Sequence, residues 1–281
     1  MYTRHICVKA NERIAEISPE NTELAKMLGE FADVCEADGK KAVTLERKKG
    51  SEYFMAGSYC GFACLSDGTL LEILPPVKGG AANARKVLGA EFCKRCGYKF
   101  DPSVFGEDMN FMEYVISVFA GETTKIIKSG VLSAYASREE NLTSVQGTIL
   151  FSENIRRNLV HRERVYVRHD VFTPDRAENR IIKAAAAKFV KLTASSHSSH
   201  QLMEALSYLD EVRVPFNITA EFSKCVNTRN TKKYSTILSI CRMLFDKDAG
   251  TAFSGKYISC AQFYKMNPPK PEHKHSGKGR K

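Results

Sequence analysis

One segment near the C-terminus has most of the residues of a nucleotide-binding loop. Residues 250–256 read GTAFSGK, which matches the first seven positions of a P-loop. The eighth position of such a loop is Ser or Thr, because its hydroxyl binds Mg²⁺. Here the eighth residue is Tyr257, and the preceding residues 246–248, DKD, do not read as a buried strand. We therefore predict no nucleotide site.

Two short segments match half of a metal-dependent nuclease site. Such a site needs an acid on one strand and an acid-x-Lys on the next, to hold Mg²⁺ and orient water. Glu46-Arg47-Lys48 and Glu272-His273-Lys274 match the second half. Asp38 lies too near the first segment, across a turn, and the second lies in a polar tail. We predict no catalytic residues, and so no enzyme activity of this chain alone.

The nine cysteines suggest neither a metal site nor a disulfide framework. Cys60 and Cys64 lie in a strand pattern, and Cys93 and Cys96 follow a helical one. Zinc ligands usually lie at tight turns instead. Most of the cysteines fall in apolar segments, which is typical of buried thiols in a reducing compartment. We predict no metal and no cofactor.

The net charge of +10 favours an anionic partner, either nucleic acid or an acidic protein surface. The alternative is a surface that is charged only for solubility. The charge is concentrated in residues 156–168 and in the tail, residues 265–281. Guanidinium groups pair in a planar, bidentate manner with carboxylate or phosphate. The predicted partner-binding residues are the arginines of the first concentration: Arg156, Arg157, Arg162, Arg164 and Arg168.

The elements that must position these arginines indicate an α+β fold. Apolar residues three and four apart predict a helix through residues 24–31. Residues 59–65 and 69–74 read as a β-hairpin, because Asp67-Gly68 supplies the positive φ of a tight turn. Residues 83 to about 137 read as helical. Strands at 147–151 and 164–171 enclose the arginine-rich segment, and Thr173 with Pro174 predicts the start of a further helix.

From these elements we predict three parts. Residues 1–78 form a β-rich N-terminal domain, and residues 79–262 form a helical stalk with a projecting β-hairpin finger at about 147–172. Residues 263–281 are a disordered basic tail, because they are too polar to build a core. No apolar run approaches the roughly 20 residues of a membrane helix, and no signal peptide is recognisable. We expect a cytoplasmic protein without membrane contact.

Several separated blocks resemble McrC, the family of subunits of the McrBC restriction systems that act on 5-methylcytosine DNA. In chain order they are VQGTILF at 145–151, IRRN at 155–158, DVFTPD at 170–175 and ENRIIKA at 178–184. The similarity continues through TKKY at 231–234 towards Phe245. Upstream, GTLLEILP at 68–75 is similar to the strand-rich N-terminal part of the family.

The resemblance implies a stalk that enters the central pore of a hexameric AAA+ GTPase partner, McrB, and stimulates GTP hydrolysis. It also implies a C-terminal PD-(D/E)xK nuclease domain. Only 36 residues follow Phe245, so we expect that domain to be missing. On this resemblance the five arginines contact the partner ring. Asn179 and Arg180 are expected to fix the start of the helix below the finger.

Two alternatives stay open. The chain could bind nucleic acid, with the hairpin and the tail as phosphate contacts, so that DNA is contacted indirectly or weakly. It could also be an inactive remnant of a restriction endonuclease subunit, or one whose nuclease is a separate chain.

Overall fold

The structure, a computed structural model, describes residues 3–18, 21–37, 39–48, 50–106, 109–245 and 258–266. It confirms the α+β fold. Its helices and strands are β1 (Arg4–Lys9), β2 (Arg13–Glu16), α1 (Thr22–Ala37), β3 (Val43–Lys48), β4 (Ser51–Ala56), β5 (Tyr59–Leu65), β6 (Thr69–Leu74), α2 (Gly80–Cys96), α3 (Phe111–Lys128), β7 (Ala134–Leu142), β8 (Thr148–Ile149), α4 (Phe151–Asn158), β9 (Val165–Thr173), α5 (Ala177–Leu192), α6 (Ser196–Tyr208), α7 (Ile218–Lys224), α8 (Ser235–Phe245) and β10 (Ile258–Lys265).

The central sheet has the strand order β1-β6-β5-β10. Its middle pair is the predicted hairpin, confirmed at both ends as β5 and β6. Gly68 has φ +85°, and the Asp67 carboxylate accepts the Thr69 N–H at 2.8 Å. Strand β6 is buried along its whole length, because helices cover the sheet.

Strand β10 brings the end of the described chain back to this sheet. It pairs antiparallel with β5, from Ile258 opposite Leu65 to Lys265 opposite Tyr59. The predicted boundary at residue 262 therefore falls inside a strand, and residues 263–265 are not part of a disordered tail. The rest of the predicted tail, 267–281, and the P-loop-like segment at 250–257 lie outside the described residues.

The helical body packs against the central sheet. Phe111, at the start of α3, contacts Phe62 of β5 and Phe92 of α2 through edge-on rings. The predicted helical run to residue 137 is wrong, because α3 ends at Lys128 and strand β7 begins at Ala134. None of the helices in the described chain is both long and apolar enough to cross a membrane.

A separate three-stranded sheet, ordered β7-β9-β8, forms with helix α4 a unit that we call the finger, residues 134–173. The predicted hairpin corresponds to β8 and β9, but β7 is added to it and α4 lies in the connection. Tyr166 and Val167 are buried inside the finger and lie outside the main hydrophobic core. The finger is thus a small folded unit with its own interior.

Candidate functional site

One glycine and three asparagines determine how the finger is assembled. Gly147 has φ +70°, and a Cβ there would collide with the carbonyl oxygen of Arg168, so β8 can begin against β9 only with glycine. Helix α4 is attached to the sheet through amides. Asn158 exchanges two side-chain hydrogen bonds of 2.8 Å with Asn141 of β7. The Oδ1 atom of the Asn154 side chain accepts the backbone N–H of Tyr166 at 2.8 Å.

Arg156 and Arg157 lie in the last turn of α4 and share one acid. Their guanidinium groups donate to Glu153 at 2.8 and 3.0 Å, and the bond from Arg157 holds the pKa of the Glu153 carboxyl below its usual range. The Arg157 guanidinium also lies 4.7 Å from the centre of the Tyr166 ring. Both arginines remain exposed, so these pairs orient them without burying them.

Arg168 lies on β9, where its guanidinium donates to Glu139 of β7 at 2.6 Å. Together with Arg156 and Arg157 it lines an open groove of about 680 Å³ between α4 and the sheet. Arg162 and Arg164 lie instead on the exposed turn between α4 and β9. Among the described residues neither forms an ion pair within 4 Å, although the charge of Arg164 interacts with that of the neighbouring Glu163. The structure thus places three of the five predicted arginines around one groove and two at the adjoining turn.

Sequence reasoning missed Glu139 and Glu153, the acids that hold these arginines. Glu153 precedes Arg156 and Arg157 by three and four residues, which is the spacing of ion pairs on a helix. That signal would have been readable had residues 151–158 been recognised as helical.

One asparagine binds both ends of the finger. Asn179, near the start of α5, donates to the carbonyl oxygens of Leu132 at 2.9 Å and Pro174 at 2.7 Å. The hydroxyl of Tyr234 donates to the Asn179 side chain at 3.0 Å and accepts the Leu132 N–H at 2.9 Å. Leu132 precedes β7 and Pro174 follows β9, so this bond network defines the root of the finger.

A buried ion-pair cluster lies beside the root. The Asp175 carboxylate accepts hydrogen bonds from Arg180 at 2.6 Å and from Arg213 at 2.5 Å. These bonds, with that from Arg180 largest, hold the pKa of the Asp175 carboxyl far below its usual range despite burial. Asn179 and Arg180 contact Pro174 and Asp175, just before α5, and their role in fixing the helix start stays a prediction. Helix α5 nevertheless begins at Ala177 rather than at Pro174, since Thr173 ends β9 and accepts the Asp175 N–H.

One group of side chains in the described chain has the donor types of a metal site. Ligand atoms of His5, Cys7 and Glu72 lie within 4.8 Å of one another. However, the Glu72 carboxylate already accepts Arg85 at 2.8 Å and the Phe111 N–H at 2.8 Å. A guanidinium beside the carboxylate opposes a second cation, so the group fits an ion-pair cluster better than a metal centre.

The segments considered for catalysis do not form a site within the described residues. Glu46 and Lys48 both lie exposed on β3, and the Glu46 carboxylate accepts a hydrogen bond from the Tyr53 hydroxyl at 3.4 Å. Cys60 and Cys64 are buried on β5, while Cys93 and Cys96 are buried on α2. Burial raises the pKa of the Cys60 and Cys96 thiols to about 12, which disfavours the thiolate that a nucleophile requires.

Comparison with known proteins identifies relatives. A family model described as McrBC 5-methylcytosine restriction system component matches residues 55–268. Two solved structures from Thermococcus gammatolerans are similar in fold. One is the cryo-EM structure of the McrBC complex, with a TM-score of 0.69 and 19% identity over 94% of this chain and 83% of that chain.

The other is a refined half-complex from a tetradecameric assembly of McrB AAA+ hexamers with bound McrC. It gives a TM-score of 0.68 and 18% identity, and it covers 94% of this chain and 67% of that chain. At such identities the likeness concerns the fold. No curated protein matches the chain.

Proposed function

Because the chain belongs to the McrBC 5-methylcytosine restriction system component family, we propose that it is a McrC-like subunit. In this proposal it binds a hexameric AAA+ GTPase and stimulates GTP hydrolysis through the arginines of its finger. The observation that carries the proposal is the position of the finger: residues 134–173 fall wholly inside the matched segment and carry all five arginines.

The exposed arginines of the finger can exchange their intramolecular carboxylates for carboxylates on another protein. Ion pairs such as those of Arg156 and Arg157 with Glu153 contribute little to stability when they are exposed to solvent. A carboxylate on another protein can therefore replace Glu153 at small cost. Arg162 and Arg164 form no ion pair within 4 Å in the described chain, so a partner's carboxylate displaces no close contact there. An acidic ring surface would gain steering and register from this cationic end of the finger.

We propose further that the chain itself does not cleave DNA. In support, the one acid-x-Lys segment in the described residues, at Glu46 and Lys48, lies exposed on β3, and Glu46 belongs to no group of three or more possible metal ligands there. In this proposal, recognition of modified DNA belongs to the GTPase partner, and this chain regulates it.

The test is the GTPase rate of the AAA+ protein encoded in the neighbouring gene, with and without this chain. We expect the wild-type chain to stimulate hydrolysis, and replacement of the five finger arginines by Gln to lower the stimulation about 10-fold or more, since their charge steers and orients the complex. The matched control replaces Arg13, Arg47 and Arg95, which form exposed ion pairs outside the finger. A five-arginine variant that stimulates like the wild type would contradict the assignment to the finger.

Nucleic-acid binding is the second candidate, favoured by the exposed Arg162 and Arg164 and by the net charge of +10. It predicts that the logarithm of DNA affinity falls with the logarithm of salt concentration, with a slope of about 0.9 for each phosphate contacted. The five-arginine variant should then lose that slope. If it keeps the slope while losing GTPase stimulation, the arginines serve the protein partner.

A further inference from the structure

Helix α4 has its apolar side chains in solvent and an asparagine in the interior. Phe151 and Ile155 on the helix and Leu159 at its C-terminal end are 70%, 65% and 74% exposed. The one buried residue of the helix is Asn158. Residues four apart lie on one side of a helix, so the three side chains form a stripe, which we call the α4 stripe.

The α4 stripe is extended by its neighbours in the chain. Val145, before β8, and Val160, after α4, are also exposed. Exposed apolar side chains grouped on one side of a helix mark interaction sites more often than singly scattered ones do. A helix is recognised in an apolar groove through anchors about one turn apart on one face, and Phe151, Ile155 and Leu159 follow one another at that interval.

The polar contacts of α4 leave the stripe free. The amides of Asn141, Asn154 and Asn158 satisfy one another and the backbone of β9 at 2.8 Å, so no apolar side chain of the helix is needed to hold it on the sheet. The helix is therefore fixed in place before a partner arrives. Such pre-organisation reduces the conformational entropy that binding must overcome.

The charges around the α4 stripe indicate the chemistry of the occupant. Arg156 and Arg157 lie beside it on α4, and Arg162 and Arg164 follow on the next turn. Against these four arginines the same segment has two acids, Glu153 and Glu163. An apolar centre with a charged rim is the usual anatomy of a protein–protein interface. Phosphates would match the rim but offer no apolar groove for the stripe.

We propose that the α4 stripe is the anchor by which the finger docks into an apolar groove, rimmed by carboxylates, on the AAA+ GTPase partner. The inference rests on the proposed function and adds where the binding energy originates. The arginines then act mainly on the association rate and its salt dependence, because charged rims steer encounter. The stripe acts mainly on the dissociation rate, because buried apolar anchors determine how long a complex lasts.

The experiment replaces Phe151, Ile155 and Leu159 by Ser in the full chain and measures association and dissociation with the AAA+ protein. Because these side chains are exposed, the thermal unfolding of the variant should match the wild type. We expect affinity to fall about 100-fold, as for loss of interface hot spots, mostly through faster dissociation. The control variant replaces Met203 and Tyr208, exposed apolar residues of α6, by Ser and should bind like the wild type.

A single substitution keeps the test valid if the triple variant does not fold. Ile155→Gln alone, at the centre of the stripe, should lower affinity about 10-fold and leave the salt dependence unchanged. A wild-type chain that binds the partner while both stripe variants bind equally well would overturn the anchor but leave the proposed function intact. A wild-type chain that fails to bind would overturn both. Loss of affinity for duplex DNA alone would overturn the protein partner as the occupant.

Discussion

The root and the free end of the finger both use arginine–carboxylate pairs, yet the pairs differ in their exposure to solvent. At the root the Asp175 carboxylate is 4% exposed and its partner Arg180 is 16% exposed, although its second partner Arg213 is 75% exposed. At the free end, Arg156 and Arg157 are 68% and 50% exposed. The bond from Arg180 to Asp175 is 2.6 Å long, and those from Arg156 and Arg157 to Glu153 are 2.8 and 3.0 Å long. Burial, rather than distance, is therefore what distinguishes them.

This difference in burial separates ion pairs that hold the fold from exposed arginines that can bind a partner. Removing one partner of a buried pair leaves a charge without compensation, whereas an exposed arginine regains water. The root can thus hold the finger in one orientation while the arginines at the free end remain available. The same contrast holds within α4, where asparagines hold the helix and the apolar side chains lie in solvent.

The largest effect is expected at the root. Asp175→Asn removes the charge that pairs with Arg180 and Arg213, and breaking a buried pair typically costs about 3–5 kcal/mol of the free energy of unfolding. Because Glu221 still pairs with Arg180 at 3.2 Å, we expect a loss near the lower end of that range. Urea unfolding at pH 7 measures it. Asp33→Asn, at an exposed position on α1, is the control and should change stability by less than about 0.5 kcal/mol.

If Asp175→Asn proved neutral, burial would not distinguish the two sets of pairs, and the root would be no more structural than the free end.

Acid should lower stability mainly through the buried carboxylates. Burial alone would raise the pKa of Glu72, but the hydrogen bonds from His5 and Arg85 outweigh it and lower the pKa to about 2 from 4.5. Since the folded pKa is depressed, this contribution is complete above pH 4.5 and is lost as the pH falls towards 2. Between pH 7 and pH 3 the loss for Glu72 is about 2 kcal/mol.

Urea unfolding at pH 7, 5, 4 and 3 measures this loss. Glu72→Gln is the informative variant, because a side chain that cannot titrate removes the Glu72 part of the pH dependence. Asp175 contributes in the same direction, since its pKa is depressed too. An unchanged pH profile in Glu72→Gln would show that the carboxylate is not charged in the folded protein.

The strands of the central sheet differ in how far the sequence predicts them. The β5–β6 hairpin is local, and its turn is determined by Asp67-Gly68, so both strands are readable from one short segment. Strand β10 was missed because its pairing with β5 joins residues almost 200 positions apart. A local sequence pattern does not predict a contact between residues so far apart in the chain.

The arginines of the finger were predicted, whereas the helix that carries two of them was not. The residue before α4, Leu150, makes no side-chain cap, so the usual start signal is absent. Apolar periodicity also misleads here, because it assigns an apolar face to the interior, and in α4 that face is exposed. Whether the five arginines bind a partner stays a prediction.

We expect the smallest effect on stability from Glu153→Gln. The same variant tests most directly whether Arg156 and Arg157 can bind the carboxylates of the partner. Because the pairs of Glu153 with Arg156 and Arg157 are exposed, urea unfolding of the variant should match that of the wild type. Both guanidinium groups then lose their intramolecular acid and are free for the carboxylates of the partner. The concentration of this chain that gives half-maximal GTPase stimulation should therefore fall, by about 2-fold at low salt, with the gain abolished at 0.5 M salt by screening.

The matched control for that measurement is Glu91→Gln, which releases Arg95 on α2 outside the finger and should leave stimulation unchanged. If Glu153→Gln weakened stimulation instead, Glu153 would be holding the arginines in the orientation that the partner recognises. The free end would then share the structural role of the root, and burial would no longer suffice to tell the two apart.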